Sequence, residues 1–436
     1  MIKPRLNASI FQILRNNLIS NTPMNLLQRE VMQRMTCICC GNDKIQKIID
    51  LGMHPMADTF VAKEHEYHAD KVYPLICDMC PECGQIQLRT ITNPEERYVT
   101  VDYSYTSSNS SASREHWDEY AEVVSNICEL SEYATIVEIG SNDGYLLEQF
   151  QNKKYVVQGV EPSPVMAAFA EDRNVNTEIA FFTLETAQRV KEKLAALPEL
   201  IVANNVFNHA NDPVDFALGV RELLAESGTF VFELPYWLSS IEQEKFDQIY
   251  HEHVSYFTVT YAVNLFRSVG MHVTRVQLVD YHGGSIRVFV RKKSHGSDTQ
   301  SIKELIDRES AAKLFDIVTY QDFMQKMLAK RNNFLELIYR IKSRGEKIVC
   351  VGAAAKGNTF LNFYRLDADV VSYVTDSSPN KVGKLTPVTR IPIESDDILA
   401  NMGRIHVIIL SWNIAELLKK KLAKINSEIE ILNPYA

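Results

Sequence analysis

Thr135-Ile136-Val137-Glu138-Ile139-Gly140-Ser141-Asn142-Asp143-Gly144, followed by the helix-forming run Tyr145 to Phe150, decides the fold class of this 436-residue chain. A short β-branched run that closes on two glycines and enters a helix is the opening unit of a parallel α/β sheet. The pattern repeats in YVVQGVE (155–161), LIVANNV (200–206) and TFVFEL (229–234), each separated from the next by a helix-like stretch. Such alternation predicts a doubly wound Rossmann-like sheet with helices on both faces. MHVTRVQLV (271–279) and GSIRVFVRK (284–292) read as a strand pair with a turn at Tyr281-His282-Gly283-Gly284, and so predict an antiparallel edge to that sheet.

Further along, a charged linker (Arg291 to Ser301) leads into a stretch without Pro or Gly, read as one long helix over 302–343. A second strand-turn-helix series follows: KIVCVG (347–352), VVSYVTD (370–376), RIHVIILSW (404–412) and EIEILN (428–433). The expectation is two doubly wound units joined by a helix.

The first glycine turn lacks GxGxxG, which argues against a dinucleotide and an NAD-dependent oxidoreductase. It fits the looser acidic-x-Gly-x-x-x-Gly turn of S-adenosylmethionine sites, where no pyrophosphate has to be cradled and glycines let the backbone approach the ligand. Glu138, Gly140, Asn142, Asp143 and Gly144 are then cofactor-binding candidates. Glu161 ends the second strand 17 residues beyond Gly144, where a carboxylate can accept ribose hydroxyls. Asn204 and Asn205 end a later strand at the same carboxyl edge.

Six of the eight cysteines lie between Cys37 and Cys83. Clustering of this kind points to a metal rather than to disulfides. Cys37-x-x-Cys40-Gly and Cys80-x-x-Cys83-Gly form two knuckles 39 residues apart, enough for one closed, structural Zn²⁺ site of four thiolates. Cys39 and Cys77 are left over. Cys77-x-x-Cys80 is itself a CxxC pair, but Gly84 repeats the position of Gly41 and favours Cys80 with Cys83.

Hydrophobic residues at 46% and charged residues at 23% are those of a soluble globular protein. Forty-six basic against 55 acidic residues give a net charge of -9, which excludes a nucleic-acid coat or a membrane-surface binder. No run reaches the length of a spanning helix, and the first 34 residues lack the apolar core of a secretory signal. A cytoplasmic protein, with residues 1–34 as a loosely docked extension, is expected.

Chemistry concentrates in Tyr250-His251-Glu252-His253-Val254-Ser255-Tyr256-Phe257. Histidines two apart do not have the i, i+4 spacing of a zincin helix, so a general base with an orienting carboxylate is the better reading than a metal site. Periodicity does not choose between His251 and His253. His209 lies just beyond Asn204-Asn205. In the second unit, Gly352-Ala353-Ala354-Ala355-Lys356-Gly357-Asn358 is a small-residue turn that lets helix amides and Lys356 meet an anion, and Asp376 is placed for a ribose hydroxyl.

These stretches, in the order CxxCG, CPECGQIQL, VEIGSNDGYLL, GVEPS, ANNVFNHA, IYHEHVSYF, HGGSIRVF, GAAAKGNTFLN and SWN, resemble the nucleotide-sugar C-methyltransferases over residues 35–436. The resemblance implies a zinc-binding domain (35–108), a methyltransferase domain (109–295) and a C-terminal Rossmann-like domain (296–436) that helps to hold a nucleotide-diphosphate keto-sugar. It places the catalytic base at His253 and further active-site residues at Tyr250, Glu252, His209 and Tyr105. It makes Lys356, Asn358, Asp376 and His282 candidates for substrate binding. The implied reaction is methylation at C3 of a 4-keto-6-deoxy sugar through an enolate: His253 removes the proton, Glu252 orients it, and Tyr250 or His209 stabilises the enolate oxygen. An O- or N-methyltransferase, or a non-catalytic nucleotide-binding scaffold, is the alternative. Monomers or weak homo-oligomers are expected.

Overall fold

The computed structural model describes residues 32–99, 106–108, 110–294 and 299–434. Three sheets carry the architecture. The central one has seven strands in the order 272–279, 285–291, 229–235, 200–204, 135–139, 156–161, 177–179. The last five run parallel, and Ser285–Arg291 joins Thr229–Pro235 antiparallel, with His272–Val279 hairpinned outside it. The strand order therefore reverses between Thr135–Ile139 and Leu200–Asn204, which opens a crevice at their carboxyl ends. Thr135–Ile139 is buried along its whole length, as a strand covered on both faces must be.

The C-terminal sheet is parallel, in the order 393–394, 373–375, 347–351, 405–409, 429–432. The stretch read as one helix over 302–343 is two helices, Thr299–Ala311 and Ile317–Ser343. No Pro or Gly marks the break. Lys313 takes a left-handed φ of 51°, and Asp316 caps the second helix by accepting from the Val318 amide at 3.0 Å. Glu309, at the end of the first helix, accepts from the Tyr236 hydroxyl and from the amides of Val259 and Thr260, so this arm is pinned to the central domain.

The N-terminal sheet pairs Gln46–Pro55, Val72–Met79, Ile86–Leu88 and Ser255–Tyr256 antiparallel. Its last strand belongs to the histidine-rich segment, far away in sequence. Val61–Ala62 also pairs with Lys384–Leu385 of the C-terminal region. Both pairings join stretches that the sequence alone assigns to separate domains. No helix among the described residues is long and apolar enough to cross a membrane.

Candidate active site and metal centre

The sulfurs of Cys37, Cys40, Cys80 and Cys83 all lie within 4.8 Å of one another. A tetrahedral ion with Zn–S near ~2.3 Å has sulfur–sulfur edges of this order. Each knuckle is built alike. Gly41 and Gly84 take φ of 74° and 76°, and their amides donate to the Cys37 and Cys80 carbonyls. The donor set fits a closed zinc site, with no side-chain position left over for catalysis. Cys77 is buried in the hydrophobic core, and Cys39 packs beside the cluster without joining it.

At the reversal of strand order lies a cavity of about 300 Å³ lined by Glu138, Gly140, Asn142, Glu161, Asn204, Asn205 and His209, among others. Gly140 has φ 69°, and a Cβ there would stand 2.3 Å from the Val206 side chain. Only glycine fits this floor. Glu161 accepts from the Asn142 amide at 3.0 Å and the Ser163 amide at 2.9 Å. Burial nevertheless pushes its pKa up to about 7, because two amides do not replace full hydration. Glu138 is pushed well up, first by burial and then by Asp143 and Glu161, and its Oε2 has no hydrogen-bond partner among the described residues. A crowded acidic pocket with an orphaned carboxyl oxygen suits a cationic ligand bearing hydroxyls. S-adenosylmethionine, a sulfonium with a ribose, has that chemistry.

Two of the cofactor candidates stand apart from this lining. Asp143 turns away, accepting from the hydroxyls of Ser107 and Ser108. Gly144 starts the helix Tyr145–Asn152 and packs against Ala170.

His253 is buried, with Nδ1 2.9 Å from the Gln248 carbonyl and Nε2 2.6 Å from the Tyr250 hydroxyl. A carbonyl can only accept, so Nδ1 carries the proton and Nε2 accepts from Tyr250. Burial, helped by Lys356 and only partly opposed by the hydrogen bond to the Gln248 carbonyl, lowers the pKa of His253 to about 3. The ring is thus neutral with one oriented lone pair. His209 lies beside it, ring centroids 5.1 Å apart, and its own pKa is pushed well down by burial and by His253.

Here the structure corrects one expectation. Glu252 does not orient His253; the Gln248 carbonyl does. The Glu252 carboxylate instead accepts from the amides of Ala57, at 3.4 Å, and Asp58, at 3.1 Å, and so ties the histidine-rich segment to the N-terminal domain. His251 is buried against Tyr73, on that same domain. Tyr105 lies outside the described residues.

None of the four substrate candidates lines the cavity. Lys356 donates to Asn413 and sits 4.3 Å over the Trp412 ring, which Lys245 also approaches at 4.2 Å. His282 belongs to the hairpin turn packed on Trp412: its carbonyl accepts from Gln248 at 3.1 Å, and a Cβ on Gly283 would reach Trp412 at 2.5 Å. The two oxygens of Asp376 accept from the amides of Ala353 and Ser378. Asn358 is buried and donates to the Ala57 carbonyl at 2.6 Å.

Arg97, Tyr98 and Gln248 were not singled out from sequence. Arg97 sits in PEERY, which reads as a solvated charged turn, and nothing local announces that its guanidinium is buried.

Three sequence families match the chain in series: a zinc binding domain at 37–98, a methyltransferase domain at 113–276 and a C-methyltransferase C-terminal domain at 280–430. C-methyltransferase NovU of Streptomyces niveus is 29% identical over 380 residues, spanning 87% of this chain and 90% of that protein. Among solved structures, magnesium protoporphyrin IX methyltransferase ChlM of Synechocystis is 12% identical, covering 41% of this chain and 83% of that one at a TM-score of 0.33. An S-adenosylmethionine-dependent methyltransferase of Clostridium acetobutylicum is 14% identical, covering 41% and 91% at a TM-score of 0.33.

Proposed function

This chain is an S-adenosylmethionine-dependent C-methyltransferase with an N-terminal zinc-binding domain, and we propose that it methylates C3 of a 4-keto-6-deoxy sugar carried on a nucleoside diphosphate. The observation that carries this reading is the fixed neutral tautomer of His253, with its Nε2 lone pair held toward Tyr250. Carbon attacks an electrophile only after it has lost a proton, and a neighbouring ketone makes that proton acidic enough for an imidazole. S-adenosylmethionine supplies an electrophilic methyl group when bound.

His253 takes the C3 proton at Nε2. Once protonated there, the ring no longer accepts from Tyr250, and the freed hydroxyl is able to donate to the enolate oxygen. Glu138, Glu161, Asn204 and Asn205 hold the cofactor side, with Gly140 and Asn142 supplying backbone. Lys356 and His282, both beside Trp412, are proposed to meet the nucleoside diphosphate. Asn358 and Asp376 support that wall through Ala57, Ala353 and Ser378 rather than by direct contact.

The test is incubation with S-adenosylmethionine and a panel of keto-sugar nucleotides, reading products by mass. A second arm follows solvent deuterium at C3. A product one methyl heavier, with C3 exchange in the absence of turnover, supports the reading; methylation at oxygen or nitrogen without exchange at C3 defeats it.

A further inference from the structure

His116 and Glu233 take no part in the chemistry above, yet they meet at the carboxyl edge of the central sheet. Glu233 is fully buried, and its backbone holds both cofactor asparagines: its amide donates to the Asn204 side chain at 3.1 Å, and its carbonyl accepts from the Asn205 amide at 2.7 Å. Its carboxylate accepts from Arg287 at 2.8 Å on one oxygen and from His116 Nε2 at 2.7 Å on the other. A carboxylate only accepts, so Nε2 carries a proton and the ring is held in one orientation. That ring stacks on Tyr281, with centroids 3.7 Å apart and planes 4° from parallel. Tyr281 opens the hairpin turn, and His282, Gly283 and Gly284 follow it with φ of 52°, 84° and 105°. Three successive left-handed residues, the first not a glycine, keep their shape only where their surroundings hold them. The Tyr281 stack is one such hold. Another is the His282 carbonyl, which accepts from the Gln248 side chain at 3.1 Å. The backbone carbonyl of that same Gln248 accepts from His253 Nδ1 at 2.9 Å.

We infer that His116 is a positioning residue for the base: its ring, fixed by Glu233, sets the Tyr281–Gly284 turn, and the turn sets Gln248 and through it His253. This rests on the reading of His253 as the base. The path is continuous in contacts, from a carboxylate to an imidazole, a stacked phenol, a turn carbonyl, a buried amide and the base. The proton acceptor and the methyl donor must meet at one carbon. Glu233 serves both sides, with its backbone framing Asn204 and Asn205 and its side chain starting the path to His253. A base displaced by a fraction of an ångström loses rate without losing substrate, so the effect of His116 falls on turnover rather than on cofactor binding.

The test uses full-length zinc-loaded protein labelled with ¹⁵N-histidine, with the His253 ring signals identified by their loss in His253→Asn. Wild type is expected to show a sharp Nδ1–H signal at His253, protected from exchange with water. His116→Gln still donates to Glu233 but has no ring to stack on Tyr281. It is expected to lose that signal to exchange broadening and to lower kcat roughly 10–10²-fold, with the Kd for S-adenosylmethionine unchanged. Gln248→Met removes the donor to His282 and keeps the backbone carbonyl, so it cuts the same path at its other end. The double variant should then lose no more activity than the worse single one. A His253 signal or a kcat left unchanged by His116→Gln overturns the inference, as do additive losses in the double variant. Should either single variant fail to fold, the other decides by the same two measurements. The spectra need no substrate, so a wrong choice of sugar shows as absent turnover in wild type, and the broadening alone then decides. Turnover that survives His253→Asn defeats the base reading and, with it, the role given to His116.

Discussion

Glu252 and Asp58, 194 residues apart in the chain, are joined by a hydrogen bond of 3.1 Å from the Asp58 amide to the Glu252 carboxylate. The carbonyl of the preceding Ala57 accepts from Asn358 of the C-terminal domain. One loop of the N-terminal domain thus holds the base segment on one side and the first turn of helix Ala355–Tyr364 on the other. Three further contacts run the same way: Ser255–Tyr256 pairs with Ile86 and Gln87, Gln85 donates to the Ser255 hydroxyl, and Asn264 donates to the Cys83 carbonyl. The zinc knuckle and the base segment are therefore mechanically continuous.

Removing the metal should reach the chemistry through that continuity. Cys80→Ser or chelation is expected to lower the unfolding midpoint, because structural-zinc binding free energy is folding free energy. It should also lower kcat more than it weakens S-adenosylmethionine binding, since the cofactor cavity is built on a different sheet. Zinc content by elemental analysis, a urea melt and calorimetry measure the three quantities. Full activity in metal-free protein would refute the link.

The buried carboxyl of Glu252 gives a pH signature of known sign. Burial raises its pKa in the folded state to about 7, against 4.5 in the unfolded chain. The folded state therefore holds the proton longer, and the stability from this group is complete below about 4.5 and lost as pH rises through about 7. Glu252→Gln removes the slope. Relative to wild type, the variant should gain up to about 3 kcal/mol between pH 4.5 and 8, on top of a constant offset from the changed hydrogen bonds. Urea melts across that range test it, and a parallel pair of stability curves rejects it.

Glu161 carries the same kind of shift at the cofactor site. Ribose hydroxyls are held by an ionised acceptor, so S-adenosylmethionine affinity should fall as pH drops below about 7, by as much as about tenfold per unit. Glu161→Gln should bind more weakly, by roughly 1.5–3 kcal/mol for each charge-assisted bond lost, and without that pH dependence. Calorimetry at several pH values separates the two proteins.

How much of this was readable in the residues depends on range. Four of the five parallel strands of the central sheet are visible as mostly apolar runs bounded by helix, whereas Thr177–Ile179 is too short and too exposed to show, and the metal site is visible because two CxxCG knuckles need only counting. Gly140 announces itself through a turn that no side chain tolerates. The pairing of Ser255–Tyr256 with Ile86 and Gln87 is two residues long and has no local signature. The break at Lys313–Asp316 lacks the usual Pro or Gly, and only the capping aspartate hints at it. Gln248 acts through its backbone carbonyl, which any residue type would supply, so no sequence pattern could identify the group that orients His253.

Glu309 offers a stability test away from the chemistry. Its buried carboxylate accepts from Tyr236, from the Val259 amide at 2.5 Å and from the Thr260 amide and hydroxyl. Glu309→Ala strands several buried donors, each costing about 1–3 kcal/mol when left unpaired. A loss of at least about 3 kcal/mol is expected by urea denaturation. A change within about 0.5 kcal/mol, typical of a surface site, would show that the arm is not pinned there.

The base itself gives the sharpest prediction. With its pKa near 3, His253 is already neutral at pH 5, so kcat should lack the protonation limb near 6.5 that an exposed histidine imposes. His253→Asn keeps a side chain able to donate to the Gln248 carbonyl but has no basic nitrogen. S-adenosylmethionine should still bind, turnover should fall by roughly 10²–10⁴-fold, and solvent deuterium exchange at C3 should disappear with it, since both pass through one enolate. His251→Asn, whose ring faces Tyr73 rather than the Tyr250 hydroxyl, should keep exchange and lose activity only through a looser segment. Exchange that persists in His253→Asn while methylation fails would place the proton on another base, with the His209 imidazole, 5.1 Å from the His253 ring, the next candidate.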